Sequence, residues 1–155
     1  FIIFSSSFVQ FIFMTLSAIG YGTVIGFIIM DIDENDGMRG LKGATLTTAA
    51  MFVLVSVSGI NFANPIFVSI IALSILILIL WELVALVRGI SRVAAKIKAV
   101  VGIVIFSMSL LASSSMVNVS SDQGLNDWNT AIDLAFNMYR DIINIILYFL
   151  EAMGS

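Results

Sequence analysis

The chain contains no cysteine and no histidine, and among its 155 residues there is one proline and only 11% charged side chains. Without cysteine there are no disulfides, no thiolate ligands and no thiol nucleophile, so the redox compartment leaves no mark on the sequence. Without histidine, imidazole-held haem, most zinc and copper sites and Ser-His-Asp catalysis lack their central group. The expected class is therefore non-catalytic, with no cofactor. The shortage of charge has a second consequence. A soluble domain carries charge on roughly a quarter of its residues, whereas here 60% are hydrophobic and mean hydropathy is +1.11. The net charge of −3, with no basic run interleaved with aromatics, argues against a nucleic-acid partner.

What the sequence has in abundance is long apolar runs. They predict an all-α, polytopic helical membrane protein, one membrane domain over residues 1–155, with the lipid bilayer as its main partner. About four transmembrane helices are expected, over 8–30, 43–60, 66–87 and 99–117, followed by an amphipathic C-terminal helix over 127–153. The apolar stretch 1–30 would be about 45 Å long as a helix, more than a hydrocarbon core of roughly 30 Å, so its span is tilted or starts in the interface. Asn61 to Pro65 reads as a tight turn, because proline suits the first position of a new helix. Residues 31–42 and 88–98 read as charged connectors, and the Ser-rich stretch 113–124 as a loop. Six of the seven Lys and Arg residues (Arg39, Lys42, Arg88, Arg92, Lys96 and Lys98) fall in the two charged connectors. With four spans those connectors share a side, and the positive-inside rule makes that side cytoplasmic and the N-terminus external. The start at Phe1 rather than Met fits loss of a leader or a truncated chain.

The C-terminal helix carries the most distinctive pattern. At about 100° per residue, Asp133, Asn137, Arg140, Asp141, Asn144, Tyr148 and Glu151 fall within an arc of roughly 120°, and apolar residues fill the remainder. An isolated fifth span is disfavoured. Ten Leu, Ile and Phe residues between 132 and 150 contribute about −3 to −6 kcal/mol, against about +5 to +7 for central Arg140 and Asp141. The stripe must face water, headgroups or protein: either the helix lies flat on the interface, or Asp133, Asn137, Arg140, Asp141 and Asn144 form a seam or pore lining.

Other motifs carry less. Gly22 and Gly26 form a GxxxG match in the first span, a device for close helix packing. Asp31, Asp33, Asn35 and Asp36 alternate like part of a calcium loop, but the glycine at 37 comes one position late and Lys42 stands where a bidentate Glu belongs. A solvated acidic turn is the simpler reading, with no metal. Glu82 beside Trp81 reads as an interfacial pair in preference to an intramembrane proton carrier. Tyr21 calls for a partner on a neighbouring helix. Asn118-Val119-Ser120 is a glycosylation acceptor match on the side placed outside.

These features lead to the expectation of a non-catalytic integral membrane subunit, a transport or pore-forming homo-oligomer that uses the polar stripe. The alternative is a scaffold among other membrane subunits, as in a secretion, pilus or respiratory complex.

Overall fold

The computed structural model describes residues 7–31, 34–124 and 128–153. They form five helices, α1 (Ser7–Asp31), α2 (Glu34–Ser58), α3 (Pro65–Arg88), α4 (Arg92–Asp122) and α5 (Trp128–Met153). The first four are long and apolar enough to cross a membrane, which establishes the expected class and the count of four. Local chemistry fixes several ends. Asn64 caps α3 by accepting a hydrogen bond from the Ile66 N–H at 2.8 Å, with Pro65 in the first position where no donor is needed. Gly89, at φ +70°, takes the chain out of α3 in a conformation few other residues adopt. Ser91 then caps α4, its Oγ accepting from the Ala94 N–H at 3.2 Å.

Three boundaries differ from expectation. The stretch 31–42 is mostly helix, since α1 runs through Asp31 and α2 begins at Glu34. Glu34 and Asp36 lie in the first turn of α2, where the helix dipole favours negative charge. The connector 88–98 shrinks to 89–91, and Lys98 stands inside α4, 5% exposed. The Ser-rich stretch continues α4 to Asp122. Serine is a weak helix former mainly because its hydroxyl competes for backbone groups; Ser109, Ser113 and Ser115 instead bond to other parts of the fold.

Helix α5 is the hub. It packs most extensively on α4, then on α2 and α1, while α3 packs mainly on α4. Pairing of Asp141 with Ser109 and Ser113, and of Glu151 with Lys98, shows α5 running antiparallel to α4. Its apolar side joins Ile145 to Ala44, Leu78, Phe106 and Leu110 in the core. Helix α5 lies among its neighbours, with Ile132, Asp141, Ile143, Ile145 and Leu150 buried.

Close approach is made at glycines other than the GxxxG pair. A Cβ at Gly22 or Gly26 would meet nothing within 4 Å, so neither serves a contact within the described chain. The tight contacts are under the end of α5, where Tyr148 sits over Gly102, Phe149 over Gly43 and Leu150 over Gly40. A Cβ at Gly102 or Gly43 would come within 2.7 or 2.6 Å of the facing ring. Away from this centre, α1 and α3 present Phe8, Phe11, Leu16, Leu73, Leu86 and Val87 on their outer faces. Lipid solvates such a surface and water does not.

Candidate functional site: a polar face of α5 between α1 and α3

The structure divides the predicted stripe. Asp141 turns into the bundle and is fully buried. Its Oδ2 accepts hydrogen bonds from Ser109 Oγ at 2.9 Å and Ser113 Oγ at 3.3 Å. Those two hydroxyls lie one turn apart on α4 and so reach one carboxylate together. Asp141 Oδ1 is buried with no hydrogen-bond partner among the described residues. Asn137, Arg140 and Asn144 are half-buried, and Asp133 is exposed near the start of α5.

The half-buried members face two successive clefts. The first, of about 210 Å³, lies among α3, α4 and α5, with Ser109, Ser113, Asn137 and Arg140 on its polar side. Val68, Ile71 and Met116 supply much of its apolar wall. The second, of about 460 Å³, is lined by Val24 of α1, Glu82 of α3, and Asn144, Tyr148 and Glu151 of α5. Arg140 and Asn144 are one turn apart on the same helix face, so the clefts follow one another along the stripe. Asn144 also donates from Nδ2 to the Arg140 carbonyl at 2.9 Å. Arg140 itself forms no salt bridge among the described residues. Edge-on packing of Tyr21 against Tyr139, with centroids 6.4 Å apart, ties α1 to α5 beside this face.

At the far end of the second cleft is an ionic cluster. Lys98 Nζ is 2.9 Å from Glu82 Oε2 and 2.9 Å from Glu151 Oε1, and the Lys98 side chain is 6% exposed. Tyr148 donates its hydroxyl to Glu82 Oε1 at 3.0 Å, and its ring stacks on Phe106. Glu82 therefore joins three helices, a connection that its place beside Trp81 in the sequence does not announce. Two carboxylates share one ammonium, and such a charged group can stay buried only because it is paired and hydrogen-bonded. By sequence Lys98 falls among the connector charges, which hides its place in this cluster. The available signal was its spacing of four from Gly102 and Gly102's of seven from Ser109, which sets all three on the face of α4 that meets α5.

The acidic turn gains no support as a metal site. Asp33 and the side chain of Asp31 lie outside the described residues, Asn35 and Asp36 stand in the first turn of α2, and no metal-holding group occurs among the described residues. Comparison of the chain with protein-family models, curated proteins and solved structures finds no match to any of the three.

Proposed function

We propose that the chain is a non-catalytic membrane transport component, and that the polar face of α5 is its path. The observation that carries this reading is the succession of the two clefts along the stripe, from Asn137 and Arg140 to Asn144 and the Lys98 cluster. Ionisable groups inside a membrane bundle are costly, and where they occur they mark ion and substrate routes more often than packing. The groove is one-sided, walled by α1 and α3, so a further copy of the chain would complete it. This keeps the homo-oligomeric expectation but changes its geometry. Each copy contributes a groove with Asp141 held inside by α4, in place of a bare α5 turned toward an axis.

A membrane scaffold is the second reading, favoured by the same open groove if a helix of another subunit fills it. Flux across vesicles containing the purified protein separates the two. The transport reading expects flux that falls at least about tenfold when Asn137, Arg140 and Asn144 are changed together to Leu. Unchanged flux in that variant, or no flux by the wild type for any small solute tested, would sink it. Orientation is part of the proposal: the end bearing Arg39, Lys42, Arg88, Arg92 and Lys96 faces the cytoplasm.

A further inference from the structure

We infer that the cleft between α3, α4 and α5 binds a small carboxylate, with the Arg140 guanidinium as its anchor and Asn137 as a second donor. This assigns a solute class to the path proposed above and rests on that reading for its role in transport, but not for binding itself.

Charge comes first. Among the described residues, Arg140 is the only charged side chain lining this cleft. Its neighbour Asp141 does not line the cleft itself: its carboxylate is buried behind Ser109 and Ser113 of the cleft wall, within electrostatic reach of Arg140 but making no salt bridge to it. Unpaired among the described residues, the guanidinium offers a planar fork of N–H donors suited to a carboxylate. Depth comes next. Arg140 lies about 18–20 Å along α5 from either end, at the level of the hydrocarbon centre if α5 runs with α4. Lipid phosphates do not reach that depth, so the anion is a free solute. Size and polarity complete the description. A volume of 210 Å³ is about seven water volumes, room for an anion of about that many heavy atoms. Val68, Ile71 and Met116 suit a short hydrocarbon tail, which gives a monocarboxylate such as butyrate.

The test is equilibrium dialysis of radiolabelled butyrate against the full chain in phosphatidylcholine nanodiscs. Saturable binding is expected, displaced by propionate and not by choline. Arg140→Gln should weaken it at least about tenfold. Val68→Trp fills the outer wall without touching the anchor, so it should abolish butyrate binding while acetate still binds. That variant decides the matter if Arg140→Gln does not fold. No saturable binding by the wild type, displacement by choline, or butyrate affinity unchanged in Val68→Trp would each overturn the site. Butyrate binding without vesicle flux would uphold the site and defeat the transport reading; flux of another solute without butyrate binding would do the reverse.

Discussion

Single residues in this bundle carry charge that lipid cannot solvate, so their replacement is informative. Lys98 neutralises two glutamates from different helices. Lys98→Met should destabilise the protein by about 3–5 kcal/mol, the usual result of breaking a buried pair from one side. The loss should shrink when Glu82→Gln and Glu151→Gln are added, as unfolding by denaturing detergent and a mutant cycle would reveal. Equal losses in the single and combined variants would show that the ion pairs are idle. Asp141 differs in kind, since its partners are neutral hydroxyls. Asp141→Asn can still accept from one serine and should keep the fold. Asp141→Ala strips Ser109 and Ser113 of their common acceptor and should cost about 1–3 kcal/mol in the same measurement.

At the scale of the helix, the end of α5 is held by shape. Gly43→Ala forces the Phe149 ring to move and should destabilise by about 1–3 kcal/mol. Gly22→Ala and Gly26→Ala meet open space and should be neutral or slightly stabilising through helix propensity. Detergent unfolding of the three variants checks the contrast, and a loss at Gly22 equal to that at Gly43 would contradict it. The helices themselves were legible in sequence, because apolar runs of membrane length leave few alternatives and Asn64-Pro65 announces a helix start. Their ends were less so. Charge suggested loops at 31–42 and 88–98, and serine suggested one at 113–124, yet helix covers 34–42, 92–98 and 113–122, where Lys98, Ser113 and Ser115 find partners on other parts of the fold. The stripe on α5 was visible as a periodicity, but periodicity does not say which neighbour meets it. That Asp141 faces α4 while Arg140 faces a cleft depends on how Ser109 and Ser113 happen to be placed, a tertiary fact with no local signature.

For the molecule as a whole, the charge bias gives a test of orientation for which a chain without cysteine is well suited. Single cysteines at Arg39, Arg92 and Asn61 should react with an impermeant maleimide from opposite sides of sealed vesicles, the first two from the cytoplasmic side and the third from the other. Labelling of all three from one side would contradict the four-span arrangement. Positions Arg39 and Arg92 are suited to this because both are exposed, Arg39 in the second turn of α2 and Arg92 at the start of α4.

The seating of Tyr148, Phe149 and Leu150 on Gly102, Gly43 and Gly40 also bears on how the protein is made. Helix α5 emerges from the ribosome after the other four, and it is too polar to be released into lipid alone. It can enter the bilayer only against a surface that α2 and α4 have already formed, glycines outward. A chain lacking α5 would leave that slot vacant and the Lys98–Glu82 pair without Glu151 and Tyr148. Docking of α5 is then the step that closes the slot between α2 and α4.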